Sequence, residues 1–564
     1  MRVLGIEGTA WCASAAIHDA EADTTVIESD PYEPDSGGIH PREAAEHMTE
    51  AIPRVVDRVL DHAETEYGSD AIDAVAFSRG PGLGPCLRTV GTAARALAGT
   101  LEVPLVGVNH MVAHLEIGRH ESGFENPVCL NASGANAHLL GYHDGRYRVL
   151  GETMDAGVGN AIDKFTRHVG WSHPGGPKVE AAAAEFADAE ADGDDLLDLP
   201  YVVKGMDFSF SGISSAANDA YDDGVPVERI CFALQEHVFA MLTEVSERAL
   251  SLTGADELVL GGGVGQNDRL REMLESMCSA RGAAFYAPDP RYLRDNAGMI
   301  AVLGTKMARA GDTVPVRESA VDPNFRPDQV PVTWREDASS VVRGVGSTDA
   351  VVDSGSDDPS HRGAEAIVEI LSDRVLKRRV PKSYRHPELD RTLRRDRTVS
   401  EARLTSEARR AGVPTPLVYD VDVLNATLTF QRVGDRDLTA ALTPVRAAAV
   451  GRHLARLHDA GIVHGDPTPR NVRVADEESR HTESDGRSAG DTATGIRLID
   501  FGLGYHTGHV EDHAMDLHVF EGSVGATATD PDPVVEAFEE GYRSVGEAEV
   551  LDRLRDVEQR GRYR

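Results

Sequence analysis

Through residues 1 to about 326, short apolar runs alternate with longer stretches whose hydrophobic positions recur every three or four residues. Val3-Leu-Gly-Ile6, Ala74-Val-Ala-Phe77, Leu105-Val-Gly-Val108 and Leu258-Val-Leu260 have the length and residue types of buried strands. The stretches between them read as helices, so this part predicts a layered α/β fold. Two strands run straight into glycine turns, Gly5-Ile-Glu-Gly-Thr9 and Leu258-Val-Leu-Gly-Gly-Gly263. Such turns offer backbone N–H groups to a phosphate, and their repetition points to two related halves. From Pro327 to Pro359 the pattern lapses. Val341 to Pro359, rich in Gly, Ser, Asp and Val, reads as a linker. A second domain is expected over 360–564, with a disordered surface insert at about 476–495, rich in Glu, Ser, Asp and Gly.

The length of 564 residues exceeds what one hydrophobic core supports, which favours two to four domains. No run of about 20 apolar residues offers a membrane span, and the first residues lack the apolar core of a signal peptide. The five cysteines form no Cys-x-x-Cys pair and are odd in number, which fits buried thiols in a reducing cytoplasm. The net charge is −36, and only six lysines stand beside 51 arginines. An acidic, lysine-poor surface keeps a protein dispersed where salt screening is strong, so adaptation to brine is expected. Such charge opposes binding to nucleic acid, but its distribution is uneven. Between Leu371 and Arg410, 13 Arg or Lys face 6 Asp or Glu, with Arg391, Arg394, Arg395 and Arg397 inside this island. The island fits a phosphate-backbone contact or a helix face with internal salt bridges.

Two sets of residues carry candidate chemistry. His110 and His114 are four apart, so on a helix they share a face and can reach one metal ion. Read alone, the pair is a weak signal, more often two surface or core histidines than a metal site. Met111 stands where a zincin would carry its general-base glutamate, which argues against a metalloprotease. Near the other end lie His464-Gly-Asp466, Asn471 and Asp500-Phe-Gly502, the order and spacing of a protein-kinase catalytic loop and magnesium site. In that reading Lys377 lies on the phosphate-binding strand and Glu401 is its helical partner. Asp466 is the catalytic base, and Asn471 and Asp500 hold Mg2+. The segment Gly363-Ala-Glu-Ala366 stands where a glycine-rich ATP loop would be, and Gly465 replaces the arginine that reads a phosphorylated activation loop. Only 64 residues follow Asp500, too few for a full peptide-docking lobe.

Several long motifs carry a family resemblance over the first 326 residues. They are Gly37-Gly-Ile-His-Pro-Arg-Glu-Ala-Ala45, Phe77-Ser-Arg-Gly-Pro-Gly-Leu-Gly-Pro-Cys-Leu-Arg88, Asn109-His-Met-Val-Ala-His114, Gly159-Asn-Ala-Ile-Asp-Lys-Phe165, His173-Pro-Gly-Gly-Pro-Lys178 and Lys204-Gly-Met-Asp-Phe-Ser-Phe-Ser-Gly212. This region resembles the universal tRNA threonylcarbamoyladenosine transferases in their archaeal and eukaryotic form. The resemblance implies a duplicated actin/Hsp70/sugar-kinase-like domain with a nucleotide-like ligand between its halves. It implies iron or zinc on His110, His114 and Asp295. It further implies transfer of threonylcarbamoyl from threonylcarbamoyl-AMP to the adenosine 3′ of the anticodon, in tRNAs that read codons starting with A. The turn Asn131-Ala132-Ser133-Gly134-Ala135, with Asp163, Gly176, Glu180 and Asn267, matches the residues that bind the adenylate. Asn131 replaces a tyrosine that is a further metal ligand in archaeal relatives, and its amide oxygen is a weak donor. Ala135 adds a methyl where the family has glycine.

Residues 360–564 resemble the small atypical kinase of the KEOPS complex, an α+β domain. Arg362-Gly-Ala-Glu-Ala366, Tyr384-Arg-His-Pro-Glu-Leu-Asp390, Glu401-Ala-Arg403 and Gly412-Val-Pro-Thr-Pro416 carry that match. It implies ATP and Mg2+ at the second site, an ATPase that regulates the transferase, and further small KEOPS subunits as partners, one on each domain. The competing functions are a metalloprotease, a small-molecule kinase using the N-terminal cleft, and a scaffold whose transferase site has degenerated at Asn131 and Ala135.

Overall fold

The computed structural model describes residues 1–32, 40–68, 71–134, 136–143, 145–189, 196–335, 360–475 and 495–558. Gly37, Gly38, Ile39 and Ala135 lie outside them, as do residues 336–359 of the expected linker and all but Gly495 of the expected insert. The chain begins with β1 (Arg2–Glu7), β2 (Cys12–Asp19), β3 (Thr24–Pro31), α1 (Pro41–Tyr67), β4 (Ala74–Gly80), α2 (Gly84–Leu101) and β5 (Leu105–Asn109). Then come α3 (His110–Ser122), β6 (Val128–Ala132), β7 (Ala137–His143), β8 (Arg146–Glu152), α4 (Val158–His168), α5 (Gly176–Ala189), β9 (Val203–Lys204) and β10 (Asp207–Phe208). This part closes with α6 (Ser211–Asp222), α7 (Val227–Thr253), β11 (Glu257–Gly261), α8 (Asp268–Arg281), β12 (Ala284–Tyr286), α9 (Pro290–Leu293) and α10 (Ala297–Arg309).

Its two five-stranded sheets share one plan. In the first, β3, β2 and β1 run antiparallel, and β4 and β5 then add in parallel to β1. In the second, β8, β7 and β6 run antiparallel, and β11 and β12 add in parallel to β6. The same order thus occurs twice, as the glycine turns predicted, and gives the duplicated fold. The parallel strands β1, β4, β5, β6 and β11 are largely apolar runs buried on both faces, while β12 lies at the more open edge.

Helix α3 sits between the two sheets. Asn109 caps it, its side chain accepting from the N–H groups of Met111 and Val112 at 3.0 and 3.1 Å. Every residue from His110 to Gly118 is buried, so the helix is enclosed on all sides. A buried carboxylate fixes its middle. Glu116 takes Lys306 Nζ at 2.9 Å, Arg119 Nη1 at 3.1 Å and the Tyr147 hydroxyl at 2.6 Å. Burial raises the pKa of that carboxyl, but Lys306 and Arg119 outweigh it and hold it at about 2. Residues beyond 326, expected to open the linker, pack back on this half. Val330 is buried, and the Arg335 guanidinium lies 3.8 Å from the Tyr142 ring centroid and donates to Glu125 O at 2.8 Å. The packed body therefore runs at least to Arg335.

The second part opens on an antiparallel sheet. Its strands are β13 (Ser360–Arg362), β14 (Ala366–Ile370), β15 (Arg374–Arg379), β16 (Val418–Asp422) and β17 (Thr427–Gln431), in the order β13-β14-β15-β17-β16. Helix α11 (Pro387–Arg410) leans on it. A mostly helical lobe follows, with β18 (Arg436–Asp437), α12 (Pro444–Asp459), β19 (Ile462–Val463), β20 (Val472–Val474), β21 (Ile496–Leu498), β22 (Tyr505–His506), α13 (Val510–Thr527), α14 (Asp532–Arg543) and α15 (Ala548–Glu558). This lobe has its own core around Leu454, Leu498, Phe501, Phe520 and Phe538. All five cysteines are buried and free. Among the described residues no helix is long and apolar enough to cross a membrane.

Gly118 sets how closely α3 approaches the second sheet: a Cβ there would collide with Val259 Cγ1 of β11. We expect Gly118→Val to overpack this contact and to destabilise the protein by about 1–3 kcal/mol, read from chemical unfolding at constant salt.

Candidate functional site

Strand β5 delivers His110 as the first residue of α3, and the helical repeat brings His114 under it. Asp295 reaches both from the segment before α10, whose N-cap is the neighbouring Asn296. His110 Nε2 lies 3.4 Å and His114 Nε2 3.3 Å from Asp295 Oδ1. One ligand atom from each of the three residues falls within 4.8 Å of the others. Behind them Glu7, fully buried at the end of β1, touches His110 Nδ1 at 3.1 Å and binds the Ser78 hydroxyl. Glu7 thus orients the first imidazole through its far nitrogen.

Asn131 at the end of β6 lies beside this group. Its Oδ1 is buried without a hydrogen-bond partner among the described residues, and its Nδ2 is 3.4 Å from Nε2 of buried His138. Gly261 and Gly262 of the second glycine turn press against it: a Cβ on Gly262 would come within 2.6 Å of Asn131 Oδ1. Burial disfavours charge on both ligand imidazoles. At His110, however, Glu7 and Asp295 outweigh burial and lift the ring to about 10. The negative field that holds a proton there would equally hold a cation. Two imidazoles, a carboxylate and an orphaned amide oxygen fit a divalent transition ion.

The residues expected to hold an adenylate form a chain of contacts. The Ser133–Gly134 turn at the end of β6 lies against the start of α4, with Asn160 N–H donating to Gly134 O at 2.8 Å. Ala132 is buried just before it. Asp163 Oδ1 accepts from Gly175 N–H at 2.8 Å, next to Gly176 at the head of α5. Glu180, one turn further along α5, accepts from Asp268 N–H at 3.0 Å. The adjacent Asn267 caps α8 and donates to Gln235 Oε1 at 3.2 Å. His110, the Ser133–Gly134 turn and the turn leading to Asn267 follow the carboxyl ends of β5, β6 and β11, where α/β sheets hold ligands.

The residues expected at the second site also converge. Lys377 on β15 lies 2.9 Å from Glu401 of α11 and 2.6 Å from Asp500 Oδ1. Asn471 Nδ2 donates to Asp466 Oδ2 at 3.0 Å. The loop before Asp466 hangs on Asp516, which accepts from the N–H groups of His464 and Gly465 at 2.8 Å each. Burial raises Asp500, but Lys377 outweighs it and holds the carboxyl at about 2. Burial prevails at Asp466 and lifts it to about 6, against the pull of Arg248. A cavity of about 270 Å³ opens here, lined by Val368, Ile370, Val375, Lys377, Phe430 and Asp500 among others. Gly363, Ala364 and Glu365 form the turn between β13 and β14, Ala366 begins β14, and all four stand outside that lining. Glu365 instead points into the contact between the two parts.

That contact corrects the reading of the basic island at Arg397. Glu244 on α7 takes Tyr201 OH at 2.7 Å, Arg385 Nη2 at 2.5 Å, Arg397 Nη2 at 3.1 Å and Arg248 Nη2 at 3.0 Å. Glu365 binds Arg397 Nη1 at 2.5 Å and also Arg248, while Lys382 Nζ reaches Glu247 at 2.6 Å. Arg397 is buried between Glu244 and Glu365 and cannot touch an external phosphate; Arg394 pairs with Asp390 at 2.7 Å. Arg391 and Arg395 remain exposed. Arg248 continues to Asp466 Oδ2 at 3.4 Å, and Gly205 N–H donates to Gly465 O at 2.9 Å. Sequence reasoning missed His138, Arg248 and Asp516, and it quoted Glu7 only as part of a turn; no local spacing marks any of them.

With this geometry in hand, similarity to known proteins assigns the class. A profile of the TsaD family, tRNA N6-adenosine threonylcarbamoyltransferase, matches residues 23–302. Over that stretch the chain is thus similar to a transferase of tRNA threonylcarbamoyladenosine synthesis. A protein of Haloquadratum walsbyi described as a probable bifunctional tRNA threonylcarbamoyladenosine biosynthesis protein is 66% identical over 565 residues, all of both chains. Counterparts of the same description in Halobacterium salinarum and Methanospirillum hungatei are 66% and 48% identical, over all of this chain and 99% of each relative. The chain belongs to this family of bifunctional tRNA threonylcarbamoyladenosine biosynthesis proteins.

Glu244 is the test of the contact between the two parts. Burial raises its pKa, but Arg397, Arg385 and Arg248 outweigh it and keep it ionised. Glu244→Gln removes the close carboxylate of Arg385 and leaves Arg248 and Arg397 to share Glu365, and a loss of about 3–5 kcal/mol is expected in unfolding at fixed salt. Adding Arg385→Gln should recover part of the loss.

Proposed function

We propose that the first part transfers threonylcarbamoyl from threonylcarbamoyl-AMP to the exocyclic amine of the adenosine 3′ of the anticodon, in tRNAs reading codons that start with A. The observation that carries this reading is the convergence of His110, His114 and Asp295 beside both glycine turns. These three residues would hold an iron or zinc ion, with the amide oxygen of Asn131 as a further, weak donor. Such an ion would polarise the carbonyl of the threonylcarbamoyl group. Ser133, Gly134 and the turn after β11 would bring backbone N–H groups to the adenylate phosphate. Asp163, Glu180 and Asn267 would bind the adenosine end, and Gly176 keeps the chain close to it. The amine nitrogen bonds to the carbonyl carbon as the carbon–oxygen bond to AMP breaks, and the amine gives up a proton.

The second part is proposed to bind ATP with its base in the apolar cavity along Val368, Ile370, Val375 and Phe430. Lys377 would meet the phosphates, and Asp500 and Asn471 would hold Mg2+. Asp466 is the base of that site, paired with Arg248 of the transferase part. We read this part as an ATPase that regulates the transferase, with further small KEOPS subunits as partners, in a cytoplasm of high salt. The regions 1–326 and 360–564 are proposed as the two domains, the first carried on to Arg335 by its packing.

Transfer is tested at high salt with ATP, threonylcarbamoyl-AMP, unmodified tRNA and the partner subunits, reading the nucleoside by mass spectrometry. His110→Ala is expected to lower the rate at least about 100-fold, the size of several kcal/mol of lost carbonyl polarisation. Equal rates would sink the proposed role of the histidine. For tRNA docking, Arg391→Glu with Arg395→Glu is expected to weaken binding and flatten its salt dependence; unchanged affinity at moderate salt would remove α11 from the tRNA surface.

A further inference from the structure

Helix α3 carries a third histidine near its other end. His120 meets His18 at the end of β2 and Asp23 in the β2–β3 turn, and one ligand atom from each lies within 4.8 Å of the others. His120 Nε2 is 2.9 Å from Asp23 Oδ1. The two imidazoles meet edge to face, with centroids 5.8 Å apart and planes at 88°. His18 is 3% exposed, and its Nδ1 is tied to Thr25 Oγ1 at 3.0 Å. Nε2 is then the nitrogen left to serve a ligand, as in metal-binding histidines anchored through their far nitrogen. Asp23 adopts φ 52°, a left-handed conformation that aspartate tolerates, and its side chain is 68% exposed.

We propose that His18, Asp23 and His120 form a second transition-metal site, of the zinc type, separate from His110, His114 and Asp295. Two imidazoles and a carboxylate, with the exposed carboxylate leaving a position open to water, are a three-ligand zinc set. The histidine–carboxylate separation of 2.9 Å is of the same order as the 3.3 Å between His114 and Asp295. A nearby cation is Arg309, whose charge acts on His18 and whose Nη2 donates to Ala20 O at 3.3 Å. An ion here would clip the β2–β3 turn to the C-terminal end of α3. The opposite end of that helix presents His110 and His114, so the clip would brace the element that carries the first site without touching substrate.

The full chain is loaded with zinc alone at its working salt, dialysed, and its metal content measured by mass spectrometry. The comparison is made in a His110→Ala background, which removes the first site from the count. Adding His120→Ala is expected to remove one further equivalent per chain. It should also abolish the zinc-dependent rise in melting temperature that the His110→Ala protein retains. His120 is at the rim, so the variant should fold; Asp23→Asn, at an exposed turn, serves as the second. Cobalt in place of zinc should give a visible absorption band that both variants lose. Equal zinc content and equal melting shifts with and without His120 would overturn the proposal. That result would leave the transferase reading untouched, because the first site is absent from both proteins.

Discussion

A buried carboxylate between arginines governs how this chain is assembled. Glu244 lies in the middle of α7 and is 1% exposed at its side chain, yet it serves Arg248, Arg385, Arg397 and Tyr201. An ion taken out of water is stabilised only when its partners are complete. Two of these partners belong to the second part of the chain, so neither part satisfies the group alone. Glu365 repeats the arrangement from the other side, with Arg248 and Arg397 shared between the two carboxylates. Apolar surfaces can slide, but a planar guanidinium gripped by two carboxylates has one geometry. The relative placement of the parts follows from this, and with it the reach of Arg248 to Asp466.

Much of the candidate sites' geometry was legible because it is local. His110 and His114 share a helical face by spacing alone, and Asn109 before them is a plain N-cap. Lys377 and Glu401 stand on a strand and the helix after it, close enough in sequence for the pairing to be read. The repeated glycine turns announced the duplicated sheets. Asp295 lies 181 residues from His114 and came from family resemblance, because nothing in its own segment points to it.

The basic island shows what could not be read. Its local excess of positive charge is real, but charge counted along the chain says nothing of where counter-ions come from. Glu244 lies 141 residues before Arg385 and 153 before Arg397, in a helix of another part. The same holds for Glu7, whose partner His110 is 103 residues away, and for Asp516, which holds a loop 52 residues earlier. Each of these is an ordinary acid in its own stretch of sequence. Only the fold gives it a role.

The backbone of Gly465 has φ 81°, and a Cβ there would collide with Leu503 O. Its carbonyl is taken by Gly205 of the transferase part. An arginine at this position, the residue by which many kinases sense phosphate on their own activation loop, has neither the conformation nor the room. The turn that would carry that arginine is instead tied to the first part of the chain, so the loop bearing Asp466 cannot shift without disturbing its covalently attached neighbour.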